Sequence, residues 1–361
     1  MSRIGVMHLI DSLEAGGAER VAVDSVNYLQ RDRYRPFLCA TRKGGPLLDR
    51  VAPDVEYLGL ERRSTVDLAA VARLSRYIRR NRIGILHAHS TSLFVALAAT
   101  GLARRPRIVW HLHYGALVTR TGRQMLFRSA ATTASAAIAV TTGLRDWAAT
   151  CLRIPAGRVF YIPNFVPRNE AAPARDLPGV PGSRIVSVAN LRPEKDQVGL
   201  VRAMRIVAAA HPMAHLIVVG ASIDRAYAVK VQEEIDLCGM RDRITLLGRR
   251  LDVPEILAGC DVGVLGSRVE GFPVSLIEYG AAGLAAVATR VGQCDEILGD
   301  DGVIVPAGDP EQLAAALLDL LKSSGRRQNL GASLQRRVEH HYSPAAVSPQ
   351  LSMVYEAVLR Q

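Results

Sequence analysis

The chain is 361 residues long, enough for about two domains of ordinary size and for a full core that needs no covalent staples. Hydrophobic residues make up 49%, charged residues 22% and aromatics 5%, which excludes disordered, fibrous and mucin-like chains. The net charge of +11 is unevenly spread: residues 1–168 carry 25 Lys and Arg against 11 Asp and Glu, and residues 169–361 carry 20 against 23.

Short apolar runs alternate with helix-period stretches along almost the whole chain, the pattern of βα units with parallel sheets. In the first half the predicted strands are Arg3 to Ile10, Tyr34 to Ala40, Val55 to Leu60, Ile83 to His89, Arg107 to His113, Ala137 to Thr141 and Val159 to Pro163. Helical faces lie between them: Ala18, Val21, Ala22, Val26 and Leu29 share one, and Leu68, Val71, Leu74 and Ile78 share another. From Arg168 to Ser183 the composition shifts to Pro, Ala and Gly, which marks a linker over 169–183. A second series of strands follows at Arg184 to Ala189, Leu216 to Gly220, Ile244 to Leu247, Val262 to Gly266, Ala285 to Thr289 and Gly302 to Val305. Its helices are expected at Val198 to Ala210, Ala226 to Cys238, Val274 to Ala281 and Pro310 to Leu321, with Pro254 to Leu257 as a short turn. A last helix is expected from Pro344 to Leu359. The fold class is therefore α/β, two doubly wound parallel-sheet domains, 1–168 and 184–343, facing across a cleft.

Cys39, Cys151, Cys238, Cys260 and Cys294 are odd in number and far apart, so a disulfide framework is not expected and a reduced, cytoplasmic compartment is. The longest stretch free of both charged residues and histidine, Ser129 to Leu144, is shorter than the roughly 18 to 20 residues of a membrane span. Met1 to Ile10 runs straight into Asp11 and Glu14 and reads as a first strand, not a secretory leader. The basic excess of the first half calls for an anionic partner, nucleic acid or the inner membrane leaflet. With few aromatics and no nucleic-acid signature, the membrane surface is the better reading. Tyr114 to Arg128 mixes arginines with Leu117, Val118, Met125, Leu126 and Phe127, the composition of an interfacial helix and also of a surface helix with one buried stripe.

In a doubly wound sheet of order 3-2-1-4-5 the first and fourth strands are neighbours, and ligands bind beyond their carboxyl ends. In the second domain those ends lead into Asn190 to Gln197 and Ser267 to Pro273. The first loop supplies Arg192 and Lys195, and the second opens a helix with Gly271 and Phe272 in its approach, Gly271 for close backbone approach, and Pro273 at a first-turn position. Amides of Val274 to Ile277, Ser275 among them, are then expected to be unpaired, and cations beside a helix N-terminus make a diphosphate site. Glu270 before the helix and Glu278 inside it are placed to accept hydrogen bonds from hydroxyls rather than to hold a metal.

The segment Glu270 to Glu278 (EGFPVSLIE), followed by Ala281-Ala282-Gly283, resembles the E-x7-E signature of the GT4 family of retaining GT-B glycosyltransferases. Asp11 to Arg20, Ile85 to Ser90, Ile108 to His113 and Ile162 to Phe165 resemble that family's glycine loop, histidine strands and domain junction, so the resemblance spans nearly the whole chain. It implies a hexosyltransferase with a UDP- or GDP-sugar as donor and a glycan acceptor, lipid-linked, in the synthesis of exopolysaccharide, capsule or lipopolysaccharide. It also implies roles. Lys195 and a nearby arginine, Arg192, hold the diphosphate together with the amides of Gly271 to Ser275. Glu278 binds the ribose, and Glu270 contacts the donor sugar. Gly16 and Gly17 border the acceptor and the phosphate, and His113 reaches the donor sugar. No metal or other cofactor is implied, and the last helix, 344–361, is expected to cross back onto the first domain. The expected location is cytoplasmic, peripheral on the inner face of the cell membrane.

The chain departs from the family pattern at four places. Asn190-Leu191 stands where Arg-Leu is frequent, Asp196 where a glycine usually follows the lysine, Gln293 where a second glycine follows Gly292, and Ala285 where proline is common.

Two H-x-H pairs, His87/His89 and His111/His113, each place both rings on one face of a strand, a geometry that also suits zinc. The remaining histidines, His8, His211, His215, His340 and His341, are not expected to complete such a site, and no metal is expected. Two other classes share the architecture: a UDP-sugar epimerase, and a nucleotide-sugar-binding scaffold without turnover.

Overall fold

The computed structural model describes residues 3–14, 16–101, 106–113 and 121–361, the side chains of 121–124 aside. The chain divides into two compact units, Met1–Phe165 with Pro344–Gln361, and Val166–Ser343.

The first unit holds β1 (Ile4–Ser12), α1 (Gly17–Asn27), β2 (Tyr34–Lys43), β3 (Glu56–Gly59), α2 (Leu68–Arg80), β4 (Ile83–His89), α3 (Leu93–Thr100), β5 (Arg107–Leu112), α4 (Thr121–Ala131), β6 (Ala136–Ala139), α5 (Thr142–Thr150) and β7 (Val159–Tyr161). Its seven strands form one sheet in the order β3-β2-β1-β4-β5-β6-β7. Every neighbouring pair is parallel. The central strands are buried on both faces, which is why β1 and β4 read as continuous apolar runs rather than as alternation.

Three observations separate this unit from its sequence reading. α3 is apolar on every side (LFVALAAT), so it lacks the one-sided stripe by which a surface helix is recognised. α5 also went unmarked, and it is capped by Thr141, whose side chain accepts from the Leu144 amide at 3.0 Å. Of the arginine-rich segment Tyr114 to Arg128, residues 114–120 lie outside the described residues. Within α4, Met125 and Leu126 are exposed at 79% and 57%, while Phe127 is buried against Trp110.

The second unit holds β8 (Arg184–Val188), α6 (Gln197–Ala210), β9 (His215–Val219), α7 (Arg225–Leu237), β10 (Ile244–Gly248), α8 (Val253–Ala258), β11 (Val262–Leu265), α9 (Val274–Ala281), β12 (Ala285–Thr289), α10 (Cys294–Leu298), β13 (Val303–Val305), α11 (Pro310–Lys322) and α12 (Ser324–His341). The six strands are ordered β10-β9-β8-β11-β12-β13, again all parallel. Pro254 to Leu257, expected as a turn, is part of the helix α8, with Pro254 in its first turn where a missing N–H costs no hydrogen bond. The segment 169–183 has no helix or strand and is fastened to this unit. Asn169 donates to the Pro254 carbonyl at 2.7 Å, and the Gly182 amide donates to Asp261 at 2.9 Å. α12 has 18 residues and only Gly331, Leu334 and Val338 buried, too sparse an apolar stripe to show in the sequence.

The last helix, α13 (Pro344–Leu359), belongs to the first unit. Val347, Leu351, Val354, Tyr355 and Val358 join a core with Val6, Tyr34, Ile85, Val109, Ile138 and Phe165. Arg33 pairs with Glu356 at 2.5 Å on its rim. Since Leu351 is 3% exposed, Leu351→Ala removes a fully packed side chain and leaves a cavity. It should lower the stability of the first unit by about 3 kcal/mol, read as an earlier urea transition of that unit, with the transition of the second unit unmoved.

Candidate functional site

In the second unit β8 and β11 lie side by side, with Val262 opposite Ile185 and Gly263 opposite Val186. The loops that leave their carboxyl ends therefore meet. The Arg268 amide donates to the Glu194 carbonyl at 2.8 Å, and Arg268 pairs with Asp196 at 2.8 Å. Lys195 Nζ lies 2.5 Å from Glu270 Oε1, and Ser267 Oγ donates to the same oxygen at 2.7 Å. The Glu270 side chain is 6% exposed and that of Lys195 26%, so the carboxylate is buried and the ammonium closes it off. A buried carboxylate is tolerated only when its charge is met in this way.

Phe272, Pro273 and Ser275 are buried, Gly271 is exposed, and Val274 and Glu278 are half-buried. Pro273, expected in the first turn, is instead the cap residue, and it offers α9 no side-chain acceptor. The Leu276 amide donates to the Pro273 carbonyl at 3.1 Å, so the run of unpaired amides expected over Val274 to Ile277 is shorter than the sequence implied. What remains at the start of α9 is a helix end with its positive pole beside a lysine. Arg192 is exposed, and among the described residues its side chain has no ion-pair partner. Asn190 does not face outward as a ligand group: its Oδ1 accepts from the Ala221 amide at 2.8 Å and its carbonyl from Gln197 at 3.1 Å.

Several residues that hold this arrangement carried no sequence signal. Tyr279, on α9, spans the splayed ends of β8 and β11: its hydroxyl accepts from the Val188 amide at 2.8 Å and donates to the Val264 carbonyl at 3.1 Å. Its ring lies against Gly263, where any Cβ would collide with it. Thr289 Oγ1, buried, donates to the Ser267 carbonyl at 2.6 Å and fixes the second loop from β12. Gly292 has φ +54°, and a Cβ there would come within 2.6 Å of the Glu270 and Gly271 carbonyls, so a glycine is required for this close approach. Gln293, in place of a second glycine, has φ −97° and needs no special backbone.

Asp196 does need it. With φ 47° it occupies the left-handed region, which explains why a glycine serves well at this position. Here the aspartate offsets its backbone cost by capping α6 through the Gly199 amide at 3.2 Å and by pairing with Arg268.

The first unit carries the other expected residues. Gly16 caps α1 in an extended conformation, φ −113°, and Gly17 begins the helix; Ala15 lies outside the described residues. Asp11, near the end of β1, accepts from Thr41 and Thr91, each at 2.6 Å, which ties β2 and the loop after β4 to the end of β1. Burial raises the Glu19 carboxyl above its usual range, opposed in part by Ser12.

His113, just past β5, is 7% exposed and not isolated. The register sets His8 opposite His87 and His89 opposite His111, and the rings stack on one face of the sheet. His8 was not expected in this group; the adjacency of β1 and β4 puts it there. Burial holds all five rings far below the usual imidazole range, His8 and His113 at about 3, and neighbouring rings add to the shift for His87, His89 and His111.

These two sheets of order 3-2-1-4-5, each with its loops gathered at the first and fourth strands, define a GT-B architecture. A family model described as "Glycosyl transferases group 1" matches residues 179–337, and one described as "Glycosyltransferase Family 4" matches residues 15–170. The chain belongs to the GT4-type glycosyltransferases. It is 25% identical over 311 residues to N-acetyl-alpha-D-glucosaminyl L-malate synthase of Bacillus anthracis, covering 81% of this chain and 80% of that protein. It is 28% identical over 320 residues to phosphatidyl-myo-inositol mannosyltransferase of Mycolicibacterium smegmatis, covering 85% and 80%. Among solved structures, that of Anabaena HepE in complex with UDP and glucose superimposes with a TM-score of 0.83 at 20% identity, over 98% of this chain and 100% of that one.

Asp196→Ala removes the α6 cap and the Arg268 partner and leaves alanine at positive φ; a loss of about 2 kcal/mol is expected in chemical denaturation, with Asp196→Asn losing less. Acid acts on the other unit. Its folded rings take up protons only far below the unfolded value of 6.5, so stability is full above that pH and falls as pH drops through it. At pH 5 a ring held neutral down to about 3, as His8 and His113 are, costs about 2 kcal/mol, and His87, His89 and His111 are shifted in the same direction. Circular dichroism should show cooperative loss of the first unit between pH 6 and about 4.5; retention of its structure at pH 4 would contradict this.

Proposed function

We propose that the chain is a retaining, metal-independent hexosyltransferase that moves a sugar from a UDP- or GDP-sugar to a lipid-linked glycan acceptor in cell-surface polysaccharide synthesis. The observation that carries this reading is the Lys195–Glu270 pair at the positive end of α9, on the loops after β8 and β11.

In this reading an incoming diphosphate takes Lys195 as its counter-charge. Glu270, thereby released, accepts from hydroxyls of the donor sugar. Arg192, exposed and without an ion-pair partner among the described residues, closes on the same phosphates, and the amides from Gly271 to Ser275 add uncharged donors. Glu278 takes the ribose hydroxyls. As the glycosidic bond breaks, negative charge grows on the leaving diphosphate, where a fixed cation and a helix end stabilise it without waiting for solvent to reorganise. These groups supply the neutralisation that a divalent ion gives elsewhere, which supports metal independence. The leaving phosphate then accepts the proton of the acceptor hydroxyl on the same face, so configuration is retained. His113 serves the donor sugar, and Gly16 and Gly17 border the acceptor and phosphate.

The relatives' names support the wider assignment. One transfers to L-malate and one to phosphatidyl-myo-inositol, both anionic, and the basic excess of residues 1–168 suits an anionic acceptor or an anionic membrane surface. No helix among the described residues is long and apolar enough to cross a membrane, which accords with peripheral attachment to the inner face.

A thermal-shift panel of UDP-, GDP- and ADP-sugars with and without EDTA is expected to give a donor-specific stabilisation that survives EDTA and is lost in Glu278→Ala. In calorimetry Lys195→Ala should weaken binding of the nucleoside diphosphate about 10- to 100-fold, the worth of one charged hydrogen bond. His113→Ala should depress transfer and leave that affinity unchanged. Equal losses in the two variants would refute the division of roles.

A further inference from the structure

Five buried histidines and one tyrosine of the first unit are joined end to end. His113 Nε2 meets His89 Nδ1 at 2.8 Å, and His89 Nε2 meets His8 Nδ1 at 3.0 Å. His8 Nε2 meets the Tyr355 hydroxyl at 3.2 Å, which in turn meets His87 Nδ1 at 2.6 Å. His87 Nε2 then meets His111 Nδ1 at 2.9 Å. The far terminus, His111 Nε2, is buried and has no hydrogen-bond partner among the described residues.

Counting protons over this chain leaves little freedom. Each neutral imidazole carries one N–H and the tyrosine one O–H, so six groups bring six protons to five contacts. A contact between two of these groups needs one proton, neither none nor two. The sixth proton sits at one terminus, on His113 Nδ1 or on His111 Nε2, or on a Tyr355 hydroxyl that accepts from both His8 and His87 and turns its own O–H out of the chain; that last arrangement leaves a buried O–H with no acceptor among the described residues. Two uncharged arrangements keep the Tyr355 proton in the chain and satisfy every contact, and they are all-or-none: all five rings in the Nδ1–H form, or all five in the Nε2–H form. The buried terminus chooses between them. A proton on His111 Nε2 would be a donor with no acceptor, whereas a lone pair there is the lesser penalty.

We propose that these six side chains form a single proton-ordered chain in which every histidine is neutral and in the Nδ1–H form, so that His113 is held as a hydrogen-bond donor at the carboxyl end of β5. His89, His8, Tyr355, His87 and His111 are positioning residues for His113. Tyr355 stands at the midpoint and comes from α13, so the helix that returns to this unit supplies the link between the two halves. The depressed proton affinity of all five rings agrees with an uncharged chain. The group that a fixed Nδ1–H meets is an oxygen acceptor; that this oxygen belongs to the donor sugar rests on the proposed function above, and the chain itself does not.

Metal binding is the rival use of the same rings, since His8, His87 and His89, or His89, His111 and His113, each offer three nitrogens within reach of one ion. The spacing favours hydrogen bonds. Two nitrogens on a tetrahedral zinc at about 2.0–2.1 Å stand about 3.3 Å apart, whereas the ring-to-ring contacts here are 2.8 to 3.0 Å.

The test is a nitrogen–proton correlation spectrum of the full chain with 15N-labelled histidine at pH 7.5, without ligand, assigned by single His→Gln variants. Nitrogen shifts separate protonated from bare ring nitrogens, and free histidine in water prefers the Nε2–H form, the opposite of the expected result. The five rings should all show a protonated Nδ1 and a bare Nε2. Any of them in the Nε2–H form, any of them charged, or one equivalent of zinc found by elemental analysis of the purified protein would overturn the proposal. Tyr355→Phe should leave His8, His89 and His113 as they were and release His87 and His111 into a mixture of forms; no change at those two would also overturn it. Should that variant not fold, the wild-type spectrum decides alone. Because no substrate is added, a chain without transferase activity would leave this result standing, and mixed forms would leave the Lys195–Glu270 site untouched.

Discussion

The pairing of first and fourth strands is the constraint on which the rest of this molecule depends. In each sheet the chain lays down three strands in one direction, returns to the middle and continues on the other side, so β1 touches β4 and β8 touches β11. At that seam no crossover helix covers the strand ends, and the loops that leave them lie close together. In the second unit this brings Lys195 to Glu270, 75 positions away in sequence. In the first it brings His8 to His87 and Asp11 to Thr91.

The two seams then solve different electrostatic problems. In the second unit, opposite charges meet under partial burial: Lys195 with Glu270, and Arg268 with Asp196. Each carboxylate alone would be costly there, and the pairs hold two loops in register with a helix end. In the first unit five rings are desolvated with no counter-charge within the group, so they stay neutral and satisfy one another by hydrogen bonds. One arrangement meets charge with charge; the other removes charge. α13 is bound into the second of these through Tyr355, and its apolar face completes the same core.

Much of the candidate site's placement was legible because it is set locally. Arg192, Lys195, Glu270 and Glu278 stand next to a strand end or a helix start, and both are marked by the switch from apolar run to polar loop. The supports were not legible. Tyr279 reads as one more apolar position on α9, and only the packing against Gly263 makes its hydroxyl the bridge between two strands. Asp196 reads as a departure from a glycine, and only its φ and its bonds to Gly199 and Arg268 show how an aspartate suits the place. α12 escaped because it packs through Gly331 and a sparse stripe, and α3 because it is apolar all round; each lacks the one-sided periodicity that sequence reading relies on.

The sequence by itself determined the βα alternation, the division into two sheets, the two loops at the seam of the second sheet and the charged groups on them. It could do so because strand and helix periodicity, caps and loop composition are properties of a few consecutive residues. Only the tertiary structure decided which distant residues touch: that Glu270 closes on Lys195 and not on Arg192, which side chains of α13 complete the core of the first unit, and that His8 and Tyr355 join four other rings into one chain. Those contacts follow from strand register and helix docking, which are fixed when many weak apolar contacts are satisfied at once, and no short stretch of sequence encodes them.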